Sequence, residues 1–371
     1  MAFRIAQFID TDIPGGAEVV IVNLSCLLIE RGYEVIVIHF GHPWLEEACR
    51  KKNIPTVIIP GHRYYKTIKL LPIFAVKFAS FLKKNKINAL HSHLYGPVTS
   101  GAMAAKIAGI KHVGTLHDVY TVKERPSRMS LIKLAKFLGT ELVAVSQDMK
   151  KTYDQLGKFK TDAISVVYNG ANCVEDKQIS VTRQDLNLSK KDIIFICVGR
   201  LVPLKQHKFL FNAFEKFVAM EGGGGNSVLL IAGDGPEKAG LMDYLDEHQL
   251  SYIRMLGFQD DIYSLLKLSD CFVLASETEG LSCSIQEAMM ASLPIVATDV
   301  GGNDELVSND VNGYLVPNND VAELSRVLLK IYQDATLRSN FSHASKQIVD
   351  QKFSSESMVE KYEALYHGNL T

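Results

Sequence analysis

The sequence predicts an α/β protein of two doubly wound, Rossmann-like domains, each a parallel sheet covered by helices. Three observations carry this expectation. The chain has 371 residues, long for one hydrophobic core and natural for two. Short apolar runs alternate with amphipathic stretches along nearly all of it, the order of strand, loop and helix that builds a parallel sheet. The alternation lapses around residues 172–188, a polar stretch without an apolar period, and then restarts. The expected domains are residues 1–178 and 179–351, with residues 352–371 forming a helix that packs back toward the first domain.

Taken in order, residues 3–9 are an apolar strand, and Pro14-Gly15-Gly16 turns the chain into a helix over residues 17–31. Residues 34–40 are the next strand, followed by a helix over 44–52 and a strand over 56–59. Residues 64–84 are basic and apolar together. A strand over 89–91 leads to a helix over 98–108, and the strand 112–116 ends at His117-Asp118. Further strands fall at 142–145 and 164–167. After the lapse, the strand 193–198 is followed by a loop and a helix over 207–219. Strands at 228–232, 253–256, 271–274 and 294–297 follow, and residues 353–367 form an amphipathic helix. The glycine run at 222–225 is a flexible connection. No Lys-Ser/Thr follows it, so it does not read as a phosphate loop.

Hydrophobic residues make up 47% and charged residues 22%, which supports a large core and excludes wholesale disorder. The net charge of −1 conceals a division. Residues 1–170 hold 23 Lys and Arg against 13 Asp and Glu, and the remainder holds 17 against 28. A basic front half suits nucleic acid, an anionic membrane surface or a phosphorylated acceptor. No aromatic-rich RNA signature or zinc-ligand spacing supports nucleic acid, which is set aside as a partner. The six cysteines, Cys26, Cys49, Cys173, Cys197, Cys271 and Cys283, form no C-x-x-C pair and read as small buried hydrophobes of a reducing compartment. The opening MAFRIAQFID does not read as a signal peptide, and no apolar run approaches the roughly 18 residues of a membrane span. The expected location is the cytoplasm, or the inner face of the membrane as a peripheral protein.

Three segments of the back half carry chemistry. In Val198-Gly199-Arg200-Leu201-Val202-Pro203-Leu204-Lys205, a guanidinium and an ammonium leave the carboxyl end of a strand and flank the start of a helix. That arrangement suits a diphosphate, to which helix amides and the helix dipole add attraction. Two ordinary surface charges on a solvated loop would look the same. In Glu279-Gly280-Leu281-Ser282-Cys283-Ser284-Ile285-Gln286-Glu287, two carboxylates straddle a loop and the first turn of a helix. Carboxylates accept from the vicinal hydroxyls of sugars and ribose, and the amides of residues 281–284 would face a ligand there. The competing reading makes Ser284-x-x-Glu287 a capping box in which Glu287 serves only the helix start. The third segment, Gly233-Asp234-Gly235-Pro236-Glu237, is a strand-to-helix turn with Pro236 suited to the first helical position. It is either a close backbone approach to a ligand or simply a tight turn.

Together these segments resemble glycosyltransferase family 4 of the GT-B fold, two Rossmann-like domains facing each other across a donor-binding cleft. The resemblance rests on the order G-R-L-x-x-x-K, G-D-G-P-E, L-G-F, E-G-L-S-x-S-x-x-E and G-G-x-x-E. In the front half it extends to Pro14-Gly15-Gly16-Ala17-Glu18, His91-Ser92-His93 and Thr115-Leu116-His117-Asp118. The resemblance implies that Arg200 and Lys205 hold the donor diphosphate as it leaves. Glu279 would contact the hydroxyls of the transferred sugar, and Glu287 the ribose. Leu281, Ser282, Cys283 and Ser284 would offer backbone amides. Gly15 and Gly16 would close over the diphosphate, and Leu256, Phe258, Gly233, Asp234 and Gly235 would line the base. His117 would sit near the reacting centre, although a satisfied histidine at a strand end is the alternative. Two departures from the family pattern, Gln206 for glycine after the lysine and Asn172 for aspartate before the linker, touch none of these residues.

The family implies retention of anomeric configuration, a nucleoside-diphosphate sugar donor, UDP-linked here, and no metal or other cofactor. Asp10-Thr11-Asp12 mimics a metal-binding D-x-D but reads as loop composition. The acceptor is expected to be a glycan or a lipid-linked glycan of cell-surface polysaccharide, lipopolysaccharide or glycolipid synthesis. Two basic, apolar segments favour a membrane-proximal acceptor: Arg63 to Lys86, and Lys123 to Lys136 with Phe137. Lysines outside an ordinary core-facing helix would give the same pattern. Two rivals stand beside this reading, an enzyme like UDP-N-acetylglucosamine 2-epimerase and a non-catalytic sugar-nucleotide-binding protein.

Overall fold

Thirteen strands, all paired in parallel, form two sheets among the residues that the computed structural model describes: 2–11, 14–160, 163–171, 179–222 and 226–368. The first sheet contains β1 (Arg4–Phe8), β2 (Glu34–His39), β3 (Thr56–Ile58), β4 (Ala89–His93), β5 (Lys111–Leu116), β6 (Glu141–Ala144) and β7 (Ile164–Val166). Their spatial order is β3-β2-β1-β4-β5-β6-β7. Ile5, Ala6 and Phe8 of β1 are buried on both faces of the strand, as a parallel sheet covered by helices requires. Phe8 lies at the centre of an aromatic cluster with Phe40, Tyr65, Phe74 and Phe78. Two helix ends show how local chemistry sets the boundaries. Ser146 caps the helix Gln147–Gly157 by accepting from the Met149 amide at 3.1 Å. Gly109, at φ 72°, ends the helix Tyr95–Ala108 in the left-handed conformation.

The second sheet contains β8 (Ile193–Val198), β9 (Ser227–Ala232), β10 (Ile253–Gly257), β11 (Cys271–Leu274), β12 (Ile295–Thr298) and β13 (Gly313–Val316), in the order β10-β9-β8-β11-β12-β13. Its core is built on Phe195 of β8, which packs edge-on against Phe214 and Phe217 of the helix His207–Glu221. In each sheet the winding reverses beside the first strand, between β1 and β4 and between β8 and β11. Open parallel sheets bind ligands outside the carboxyl ends of their strands at such a reversal.

The chain divides into two compact units, Met1–Gly170 with Ser355–Thr371, and Ala171–Ser354. The division falls eight residues before the 178/179 boundary read from the sequence, and Asn172 to Gln178 lie outside the described residues. Two contacts draw it there: the Ala171 amide donates to the Phe353 carbonyl at 2.8 Å, and Ala171 pairs with Ser354 in a β-bridge. Residues 179–188, placed in the polar lapse, are tied to the second unit. Arg183 binds Asp270 at 3.0 Å, and the Ser180 amide donates to Ser264 at 2.9 Å. The terminal helix Ser355–His367 belongs to the first unit, where Tyr362 and Tyr366 are buried. The five described cysteines are unpaired, and Cys173 lies outside the described residues. Among the described residues no helix is long and apolar enough to cross a membrane.

Candidate functional site

In the second unit the sequence-predicted residues gather on loops at the carboxyl ends of β8, β9, β10 and β11. Arg200 follows β8 after Gly199 and is exposed, with no ion pair to any described residue. Pro203 opens a single tight turn that ends at Lys205, and the helix His207–Glu221 begins two residues later. Gln206 joins the two at φ 48° and ψ 43°. That is the left-handed region, where a side chain is strained by about 1 kcal/mol and glycine is not.

Backbone hydrogen bonds bind the neighbouring loops to this one. The Leu201 amide donates to the Asp234 carbonyl at 2.9 Å, and the Glu237 amide to the Leu201 carbonyl at 3.0 Å. Gly233 makes this approach possible: at φ 155°, a Cβ there would lie 1.8 Å from the Gly199 carbonyl oxygen. Gly235 shares the turn, and the Asp234 carboxylate is held by Lys238 at 2.7 Å and by the Gly235 amide at 2.7 Å. Pro236 lies within the turn, not at the first helical position expected of it; the helix starts at Lys238. At the end of β10, Leu256 is half-buried and Phe258 is 51% exposed, an aromatic face open to solvent.

Across the reversal, the loop after β11 presents Glu279. Its Oε1 accepts from Lys205 Nζ at 2.6 Å and from the Ser276 hydroxyl at 2.6 Å, and its side chain is 12% exposed. The pair joins the loop after β8 to the loop after β11 at the point where the sheet's winding reverses. Ser276 and Gly301 support it and were not singled out as site residues from the sequence. The Ser276 carbonyl accepts from Thr298 Oγ1 at 2.6 Å. A Cβ on Gly301, at φ 56°, would meet the Glu279 carbonyl oxygen at 1.9 Å. The signal for Gly301 was the G-G-x-x-E segment itself; a serine three residues before a glutamate carries none.

The helix Cys283–Met290 follows. Its cap is Ser282, in extended conformation, whose hydroxyl accepts from the Ile285 amide at 3.4 Å and lies 3.1 Å from the Ser284 hydroxyl. The Ser284–Glu287 capping box is therefore not formed. Ser284 is already inside the first turn, and Glu287 stands one turn further on. Leu281 and Ser282 are buried, while Cys283 and Ser284 are half-buried. The first amides of this helix have no intrahelical acceptor, which makes its N-terminus attractive to an anion. Burial pushes the Glu287 carboxyl up to about 7, and it makes no ion pair with any described residue. A carboxyl in that state gains from a ligand that brings hydroxyl donors to it.

In the first unit, Gly15 caps the helix Gly16–Glu30 without a side chain. Asp10, just past β1, is engaged by Lys66 at 2.7 Å and His62 at 3.2 Å. Thr11 donates to Glu18, and Asp12 lies outside the described residues. His117 follows β5 and is half-buried, its Nε2 3.0 Å from Nδ1 of His93. His93 Nε2 in turn lies 2.7 Å from Gln7 Oε1. His91 is held by Thr115 at 2.8 Å and by Tyr366 at 2.7 Å.

Burial pushes all these imidazoles toward neutrality: His91 and His93 well below the usual range, His112 to about 3 and His117 to about 4. In the second unit, His207 is pushed to about 4 by burial and, next, by Lys205. The unfolded chain takes up protons near pH 6.5 where these folded histidines do not, so stability falls as pH drops below that value. Glu287 acts with the opposite sign, because the folded state holds its proton up to about pH 7 and the unfolded state releases it near 4.5. The first unit, which holds these four histidines and His39, also lowered by burial, is expected to melt lower at pH 5.5 than at pH 7.5. The second, where His207 and Glu287 oppose each other, should shift less. Calorimetry at the two pH values checks this; a first unit indifferent to pH would contradict it.

Comparison with known proteins accords with this geometry. The model of glycosyltransferase family 4 matches residues 14–175, and that of glycosyl transferases group 1 matches residues 178–348. N-acetyl-α-D-glucosaminyl L-malate synthase of Bacillus anthracis is 27% identical over 96% of this chain and 94% of its own length. A UDP-Gal:α-D-GlcNAc-diphosphoundecaprenol α-1,3-galactosyltransferase of Escherichia coli is 28% identical over 87% of this chain and 85% of its own. The crystal structure of Anabaena HepE with UDP and glucose has the same fold, with a TM-score of 0.84 at 22% identity over 99% of this chain and 100% of that one. With paired parallel sheets that carry their motifs at the carboxyl strand ends, and with each sheet matched by its own family model, the chain belongs to glycosyltransferase family 4 and has the GT-B fold.

Proposed function

We propose that this enzyme is a retaining glycosyltransferase that moves a hexosyl or N-acetylhexosaminyl unit from a UDP-sugar to a hydroxyl of a glycan or lipid-linked acceptor, in cell-surface polysaccharide or glycolipid synthesis. The observation that carries the donor assignment is the Lys205–Glu279 pair at the sheet reversal, beside the unpaired Arg200. The relatives support it, since one names a UDP-sugar donor with a lipid-diphosphate acceptor and the structural neighbour holds UDP. In this reading Arg200, Lys205 and the amides of the helix Cys283–Met290 stabilise the charge that grows on the diphosphate as the glycosidic bond breaks, with no metal required. Glu279 orients Lys205 and accepts from the sugar's hydroxyls, and Glu287 accepts from the ribose. The base lies against Leu256, Phe258 and the turn Gly233-Asp234-Gly235. The loop at Gly15 and Gly16 adds amides to the diphosphate. The acceptor oxygen bonds the anomeric carbon on the face the nucleotide leaves, and its proton passes to the departing phosphate. His117 accepts a hydrogen bond from the sugar or the acceptor.

A panel of UDP- and GDP-sugars tests this. One UDP-sugar should raise the melting temperature by mass action and support transfer in excess EDTA, with the donor's anomeric configuration kept in the product. Inverted product, strict metal dependence, or an epimerised sugar released without acceptor would reject it.

For the acceptor side we propose an anionic membrane surface as partner. Residues 51–117 contain 11 Lys and Arg and no Asp or Glu. The helix Leu71–Lys84 exposes Ile73 and Val76 beside Lys77, and the helix Met129–Phe137 exposes Leu134 and Phe137 beside Lys133. Phe137 is 85% exposed, an apolar ring with no role in the core. Basic side chains flanking exposed apolar ones suit an anionic bilayer. Phe137→Ser is expected to weaken cosedimentation with phosphatidylglycerol vesicles at low salt severalfold and leave melting unchanged. Absence of wild-type binding would remove the proposal.

A further inference from the structure

We infer that His93 and Gln7 are positioning residues that hold the proton of His117 on Nε2 and so present its Nδ1 as a hydrogen-bond acceptor to substrate. The inference rests on the role proposed above for His117, and it deepens that role by assigning the tautomer and what sets it.

Three adjacent strands deliver the three side chains. Gln7 lies on β1, His93 ends β4 and His117 follows β5, and the register sets Gln7 beside His91 and His93 beside Thr115. The amide oxygen of Gln7 lies 2.7 Å from His93 Nε2. A carbonyl oxygen can only accept, so His93 Nε2 carries the hydrogen. A neutral imidazole has one N–H, which leaves His93 Nδ1 as a lone pair. At 3.0 Å from that lone pair, His117 Nε2 must be the donor. Its own single proton is then used, and Nδ1, which makes no hydrogen bond among the described residues, is an acceptor.

The surroundings keep the order from being scrambled. His93 is fully buried and His117 half-buried, and burial holds both neutral. The other titratable groups in the neighbourhood are occupied. His91 is held between Thr115 and Tyr366, and His112 between Thr140 and Ser92. Tyr362 meets Thr115 at 3.0 Å, and the Asp118 carboxylate accepts from the Thr121 amide at 2.9 Å. The two histidines of His91-Ser92-His93 thus divide the work: His91 ties β4 to the terminal helix, and His93 links Gln7 to His117. Gln7 is fully buried on β1, with its Oε1 toward His93.

The test is made on the full-length protein at pH 7.5. Long-range proton–nitrogen correlation on uniformly 15N-labelled protein, with His117 assigned by His117→Gln, should show Nε2 protonated and Nδ1 bare. In His93→Asn the amide oxygen can replace Nδ1 as acceptor, whereas His93→Leu offers none. The Asn variant is expected to keep at least tenfold more turnover than the Leu variant, with similar donor KM and similar melting. A wild-type His117 protonated on Nδ1, or equal turnover in two variants that melt alike, would overturn the inference. If the tautomer is as stated but His117→Ala transfers sugar at the wild-type rate, the error lies in the role given to His117, and the assignment of its proton stands.

Discussion

Replacing Arg200 with alanine should cut turnover at saturating donor by about a hundred- to a thousandfold, the loss found when one preorganised charge donor is removed from a developing anion. The argument is one of location and freedom. Arg200 leaves β8 beside the sheet reversal, is exposed, and has no ion pair to any described residue. A guanidinium that the fold does not use is available to a ligand, and its planar fork matches phosphate oxygens. Because nothing in the fold depends on it, melting should change by no more than about 0.5 kcal/mol. The combination of large kinetic loss and intact stability is what separates this reading from a surface charge. Steady-state kinetics with a thermal melt decide it, and unchanged turnover would reject the diphosphate role.

Lys205→Met should behave differently, losing both turnover and stability. Lys205 Nζ is bound to a Glu279 carboxylate whose side chain is 12% exposed. Removing the ammonium leaves that carboxylate buried with only the Ser276 hydroxyl to serve it. Breaking one side of a buried pair costs about 3–5 kcal/mol, mostly from the abandoned charge. Adding Glu279→Gln removes the charge, so the double variant should recover much of the stability and none of the activity. That dissociation is the signature of a pair kept for chemistry as well as packing. If the double variant regains turnover along with stability, Lys205 is structural.

The strands were legible in the sequence because the cores of both sheets are buried on two faces. β8 was read to the residue and β11 to within one, since short apolar runs such as FICV and CFVL between polar stretches suit a buried strand. The helices Gln147–Gly157 and Ala335–Lys352 were not read. The first buries only Met149, Tyr153 and Gly157, and the second Phe341, Ser345 and Val349, too sparse a stripe to show a 3.6-residue period. β13, Gly313–Val316, was not read either. In the site, motif order placed Arg200, Lys205 and Glu279 on neighbouring loops, but no sequence feature pairs Lys205 with Glu279, 74 residues apart. The cap of the helix Cys283–Met290 was ambiguous because Ser282 and Ser284 are both good cap residues. The extended backbone at Ser282 decides between them. His93 and Gln7 were hidden for the same reason as the ion pair, since strand register brings them together and local sequence does not.

The most direct measurement is a crystal structure of the second unit's site with UDP bound to the full chain. This account expects the diphosphate outside the carboxyl ends of β8 and β11, with its oxygens within hydrogen-bond reach of Arg200, Lys205 and the first amides of the helix Cys283–Met290, and the ribose against Glu287. A nucleotide bound elsewhere on the chain, with those side chains untouched, would contradict it.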